Sequence, residues 1–231
     1  MIFIKKYLFI FSIIITIFSF LFIDIKASNN LIIIDPGHGG RDRGASYKGV
    51  YEDTLNLEVA NTLKDIFIDN GYSILMTREN EMDLCGDKFI KKEDMMKRSK
   101  FINNYNPLLV LSIHMNTYSN EKYKGAQVFY SNANSKSVDL ANLIQNKLSC
   151  YTDTTRKIVK RNNIYLLNSI VSPACIIECG FITNSEERNK LLDQDYRRII
   201  GEAIYAGTTE FIRNYLRYWI FIKNELYLFW W

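Results

Sequence analysis

The amino-acid sequence predicts an α/β fold with a largely parallel sheet, and three observations carry that prediction. Leu31–Ile34, Leu108–Leu111 and Ala174–Cys179 are short, continuous apolar runs, the mark of strands buried on both faces. Segments of about 12–20 residues with apolar residues at helical spacing separate them, which favours helices lying on the sheet's faces. The chain has 231 residues, 48% hydrophobic and 14% aromatic, enough for one domain with a sizeable core.

In order, Leu31–Ile34 is the first strand, stopped by Asp35 and Pro36 and followed by Gly37, His38, Gly39 and Gly40. After a polar loop over 44–51, a helix spans about Glu52–Asn70, with Leu55, Val59, Leu63, Ile66 and Phe67 on one side and Gly71 as its stop. Tyr72–Thr77 is a strand. A charged loop follows over 79–92, then a helix over Lys92–Asn104. Pro107 introduces the strand that ends at His114, and a polar loop over 115–125 leads to a strand at Ala126–Tyr130. Ser135–Leu148 is a helix, and 149–161 is a basic loop over the site. Asn163–Leu167 and Ala174–Cys179 are strands, and the last helix runs over Asp195–Tyr215. No internal repeat or low-complexity tract is present.

Formal charge is +4, and the part after residue 27 carries about +2 once Lys5, Lys6, Lys26 and Asp24 are set aside. No basic cluster interleaves with aromatics, so a nucleic-acid partner is excluded from the expectations. Lys5 and Lys6 precede an apolar run from Tyr7 to Ile23. This reads as a signal peptide or a membrane anchor over 1–27, with the catalytic part outside the cytoplasmic membrane. Residues 28–215 then form the catalytic domain, and the aromatic tail over 216–231 receives no role. Cys175 and Cys179 lie in one strand, roughly 13 Å apart, too far to bridge. Together with Cys85 and Cys150 they are expected as free thiols.

The chemistry starts from the two histidines, the only ones in the chain. His38 and His114 both stand where a buried strand meets a loop, the edge where open α/β sheets bind ligands. Two such imidazoles suit a metal, and a catalytic zinc needs a third ligand and an open position. Glu52 can supply it, because the chain that leaves the first strand returns over the strand end as it enters the first helix. A helix N-terminal acid favoured by the helix dipole explains Glu52 equally well. Glu178 lies near the end of an apolar strand, where a carboxylate is costly. Alternation puts Cys175, Ile177 and Cys179 on one face of that strand and Ile176 and Glu178 on the other. Glu178 reads as a general base toward water and then a general acid toward a leaving amine, or as half of an ion pair with Arg78.

Together, DPGHGG around His38, GVYEDTLNLEVA around Glu52, LSIHMN around His114 and IIECGFITN around Glu178 resemble the zinc-dependent N-acetylmuramoyl-L-alanine amidases. The resemblance runs from about Leu31 to Tyr215 with the motifs in the family's order. Thr77-Arg78, Arg98 ahead of FINN, and NIYLL agree with it. KGAQVFYS and NIYLLNS look most like the spore-cortex, germination-specific branch found in endospore formers.

The resemblance implies a six-stranded sheet flanked by helices and one zinc held by His38, Glu52 and His114, with Glu178 as catalytic acid/base. It implies hydrolysis of the amide between the lactyl group of muramic acid and L-alanine of peptidoglycan, leading in the spore-cortex branch to muramic-δ-lactam. Arg78 and the basic residues Arg156, Lys157, Lys160 and Arg161 are candidates to meet stem-peptide carboxylates, or are solvated charges. An activating protein partner is a further expectation. A zinc peptidase cutting within the stem peptide and an inactive peptidoglycan-binding protein are the competing readings. Two histidines argue for one metal against the first, and an intact His38, Glu52, His114 and Glu178 argues against the second.

Overall fold

A computed structural model of the chain describes residues 30–86 and 88–228, with side chains no further than Tyr215. The expected signal peptide or anchor over 1–27 lies outside the described residues. Among the described residues no helix is long and apolar enough to cross a membrane.

Among the described residues eight strands and six helices follow one another. They are β1 (Leu31–Pro36), β2 (Ser46–Tyr47), β3 (Val50–Tyr51), α1 (Glu52–Asp69), β4 (Ser73–Met76), α2 (Lys91–Tyr105), β5 (Leu109–Asn116) and β6 (Gln127–Tyr130). Then come α3 (Ser137–Tyr151), β7 (Val159–Lys160), α4 (Tyr165–Ser169), β8 (Ala174–Phe181), α5 (Ser185–Leu192) and α6 (Gln194–Leu228). Six strands form one sheet in the order β4-β1-β5-β8-β6-β7. All neighbours are parallel except β6 and β8. This is the mixed, mostly parallel α/β sheet expected.

Alternation divides the core between the two faces. Ile32, Ile34, Leu111, Ile113, Cys175 and Ile177 join the cluster packed by α1, α3 and α6. Ile33, Val110, Phe129 and Ile176 join a second cluster with Ile102 of α2 and Leu166 and Leu167 of α4. Because both faces are covered, these strands carry uninterrupted apolar runs. Helix α1 stops where expected. Gly71, at φ +82°, donates to Ile68 O at 2.9 Å and Tyr72 to Phe67 O at 3.1 Å. This bond pair closes a helix around a left-handed glycine.

Besides the hairpin β2–β3 within the expected loop over 44–51, four segments differ from expectation. Asn163–Leu167 was expected as a strand, yet the chain forms the short helix α4, with Leu166 and Leu167 both buried. Two adjacent inward residues suit a helical turn and break strand alternation. The expected loop over 149–161 holds the last turn of α3 and the edge strand β7, which gains its pairing from Phe129 and Tyr130 of β6. Helix α5 was not anticipated; the Asn184 side chain caps it by accepting from Glu187 N at 3.0 Å. Helix α6 passes the expected stop at Tyr215 and runs to Leu228, because neither glycine nor proline stands between 208 and 228. The four cysteines are free, with Cys175 and Cys179 buried.

The connection from β1 to α1 matters most for the site. Ser46 pairs with Tyr51 and Tyr47 with Val50, so a small hairpin folds the chain back on itself. Ala45 O then accepts from Glu52 N at 2.9 Å, and Arg43 O accepts from Asp53 N at 3.2 Å. Helix α1 therefore begins directly over the carboxyl end of β1.

Candidate metal centre and active site

The parallel neighbours β1, β5 and β8 end on one edge of the sheet, and the candidate residues gather there. Glu52 Oε1 lies 3.2 Å from His38 Nε2 and 3.0 Å from His114 Nδ1. The two rings stand edge to face, 5.1 Å between centroids. One donor atom from each of His38, Glu52 and His114 falls within 4.8 Å of the others, close enough for one ion.

Each donor is fixed by its surroundings. Glu52 Oε2 accepts from Ala45 N at 2.8 Å, which leaves Oε1 to face the imidazoles. His38 Nδ1 lies 3.0 Å from Asp42 Oδ2, so its other nitrogen is aimed at Glu52. A carboxylate behind a ligating histidine sets ring orientation and tautomer. Asp42 did not emerge from the sequence, although its i+4 spacing from His38 offered a hint. Gly37 matters for space, since a Cβ there would collide with the His114 ring.

The electrostatics call for a cation at this point. Burial opposes the His38 imidazolium, but the Asp42 and Glu52 carboxylates outweigh it and push the ring up to about 9. Burial would raise Glu52, yet the two histidines hold it far below the usual carboxylate range. Nitrogen and oxygen donors in this number fit zinc.

The loop carrying His38 is braced from below by two buried arginines. His38 adopts φ +61°, a left-handed conformation costly for a residue with a side chain. Arg98, fully buried, donates to Asp35 Oδ1 and Pro36 O, each at 2.8 Å, and to His38 O. Its Nε donates to Asp94 Oδ2 at 2.7 Å. Asp35 also accepts from Thr77 at 2.5 Å and Ser112 at 2.7 Å. Burial works to raise Asp35, but Arg98 and the two hydroxyls prevail and hold it at about 2.

Arg78 makes no ion pair with Glu178 among the described residues and turns its guanidinium to main-chain carbonyls. Its guanidinium donates to Pro36 O (3.0 Å), Gly37 O (2.9 Å), Asp53 O (2.8 Å) and Asn80 O (2.9 Å). Arg78 is a buried brace for the strand end.

Glu178 is paired in register with His114 across β5 and β8. Its Oε2 is buried and has no hydrogen-bond partner. Burial, reinforced by the Glu52 charge and opposed by the histidines, pushes the carboxyl up to about 7. A carboxyl poised near neutrality beside a metal-type donor set can both take and give a proton.

With this geometry in hand, the comparisons with known proteins are informative. Residues 32–210 match a family described as N-acetylmuramoyl-L-alanine amidase. The germination-specific N-acetylmuramoyl-L-alanine amidase of Bacillus subtilis (strain 168) is 36% identical over 186 residues, 78% of each chain. N-acetylmuramoyl-L-alanine amidase LytC of the same strain is 30% identical over 186 residues, which are 79% of this chain and 35% of LytC. Among solved structures, the CwlD amidase from Clostridioides difficile, in complex with the GerS lipoprotein, superposes with a TM-score of 0.76 at 33% identity. The match covers 79% of this chain and 98% of that one.

Proposed function

The chain belongs to the N-acetylmuramoyl-L-alanine amidase family, acting on peptidoglycan, and on that premise we propose a zinc-dependent mechanism at the β1/β5/β8 edge. His38, Glu52 and His114 would hold one zinc, and Glu178 would be the catalytic acid/base. The observation that carries this reading is the convergence of the three donors beside a buried carboxyl oxygen with no partner. When bound, zinc supplies Lewis acidity toward the amide carbonyl and makes a nearby water more acidic.

The protein's own groups then move the protons. Glu178 Oε2 takes a proton from the water whose oxygen bonds to the lactyl carbonyl carbon. As the carbon–nitrogen bond breaks, the same oxygen returns that proton to the nitrogen of L-alanine. The products are a muramic lactyl carboxylate and a stem peptide with a free amino terminus. Asp42 keeps His38 oriented, and Arg98 and Arg78 hold the loop beneath it. Glu178 gains from having no partner, because a carboxyl tied to a cation would stay ionised and give up its proton-carrying range.

We extend the proposal to the finer role. The germination-specific relative supports action on spore cortex, as the first step toward muramic-δ-lactam. Peptidoglycan as the family's substrate supports action outside the cytoplasmic membrane, with 1–27 as signal peptide or anchor. The CwlD amidase was solved with the GerS lipoprotein, which supports a protein partner for this chain as well.

Mass spectrometry of peptidoglycan treated with the full chain, with and without a chelator, tests the reading. Chelator-sensitive release of intact stem peptides beginning at L-alanine is the expected result. Fragments cut within the stem would show a peptidase and overturn it.

A further inference from the structure

Resting on the amidase reading, we propose that Arg156 forms a subsite for the α-carboxylate of the stem peptide's second residue, the γ-linked D-glutamate. Strand register leads to it. Glu178 is paired with His114 on one side and with Gln127 of β6 on the other. Ile176 and Phe129, two residues from Glu178 and Gln127, both lie in the cluster on the α2/α4 face, so this row projects to one side of the sheet. Gln127 Oε1 accepts from Arg156 Nη1 at 3.3 Å. The guanidinium therefore stands at the end of the catalytic row away from His38.

Arg156 is built into this place. Its Nε donates to Lys124 O at 2.7 Å, and its main-chain N–H donates to Thr154 Oγ1 at 3.3 Å. Its guanidinium carbon lies 4.6 Å from the centre of the Phe181 ring and 5.7 Å from that of Tyr123. Glu187, an acid whose charge Arg156 feels, is already engaged by the main-chain N–H groups of Gly125 and Phe181, both at 2.8 Å. A half-buried guanidinium pinned between a carbonyl and an aromatic ring is pre-organised to receive a carboxylate.

Gln127 stands one strand over from Glu178, about 4.8 Å between backbones, and its side-chain oxygen is the atom that Arg156 Nη1 meets. In an extended peptide each residue spans about 3.3–3.6 Å, so the second residue lies roughly 7 Å beyond the scissile nitrogen. With Arg78 committed to main-chain carbonyls, Arg156 and Arg161 are the arginines on this side of the site; Arg161 lies over the Phe129 ring at 4.9 Å, whereas Arg156 is bonded to Gln127, the register neighbour of Glu178.

The test compares two synthetic muropeptides that differ only in this group, a free α-carboxylate in one and an α-carboxamide in the other. They are cleaved by the zinc-loaded full chain. Wild type should prefer the acid by about 10–100-fold in kcat/KM, expressed mainly in KM. Arg156→Gln should bring the two substrates to within about threefold of each other, and Arg156→Lys should keep part of the preference. The ratio within one variant does not depend on how much of it folds. A wild type without preference, or an Arg156→Gln variant that keeps it, would overturn the subsite while leaving the amidase reading intact. Failure of wild type to cleave either muropeptide would overturn both.

Discussion

The two halves of the site are built on opposite plans. His38 and its loop are held on several sides: Asp42 behind the ring, Glu52 before it, and Arg98 and Arg78 beneath the loop. Around Glu178 the fold buries a carboxyl oxygen and gives it nothing to bond. A metal-holding half profits from rigidity, since its donors must converge before the ion arrives. A proton-carrying half needs a group whose protonation can change, and a fully bonded carboxylate loses that freedom. The contrast explains why the buried Arg78 and Arg98 both brace the His38 side.

Substitution can separate the two halves. His38→Ala should abolish both metal retention and turnover, whereas Glu178→Gln should keep one zinc per chain and lose about 10²–10⁴-fold in kcat. Metal analysis paired with kinetics on the same preparations checks this, and near-normal rates in Glu178→Gln would end the proposed role of Glu178. Arg98→Ala attacks the brace. It leaves Asp35 and Asp94 buried without their cation, for which roughly 3–5 kcal/mol of stability should be lost. Urea unfolding measures that loss, and a deficit below about 1 kcal/mol would mean that the brace is dispensable.

The smallest effect concerns acid. Asp35 titrates at about 2 in the folded chain, below its ordinary value of 3.8. The folded state therefore binds this proton less readily than the unfolded state. The stabilisation from Asp35 is complete above about pH 4 and is lost as pH falls through 4 toward 2. Asp35→Asn should flatten that part of the stability–pH curve, which thermal melts between pH 2 and 5 would reveal.

Much of this was legible in the sequence because the signals are local. A β-branched run ending in DPGHGG announces a strand and a strand-end imidazole, and the same holds for LSIHMN. Glu178 stood out as an acid inside an apolar strand. Asp42 was hidden in the charged run GRDRG, where nothing separates the carboxylate behind His38 from an ordinary surface acid. The arginines were harder still. Arg78 binds carbonyl oxygens, and every residue carries one, so no side-chain pattern marks the partner. Helix α4 was missed because its five residues are fixed by packing on Ile33, Val110 and Phe129, tertiary neighbours that a window on NNIYLL cannot contain.

The strand order carries a consequence for the chain's folding in time. β8 lies between β5 and β6, yet it is made last of the six strands. The β6–β7 pair can join the sheet only through a strand that emerges more than a dozen residues after β7 ends. That same strand brings Glu178. The strand made last is therefore the one that brings the proposed proton carrier to a sheet edge where His38, Glu52 and His114 already stand earlier in the chain. On the proposed roles, a chain halted before residue 174 has its three candidate metal donors and lacks Glu178, so premature termination or stalled folding would leave an inert product and not an unregulated cutter of cell wall.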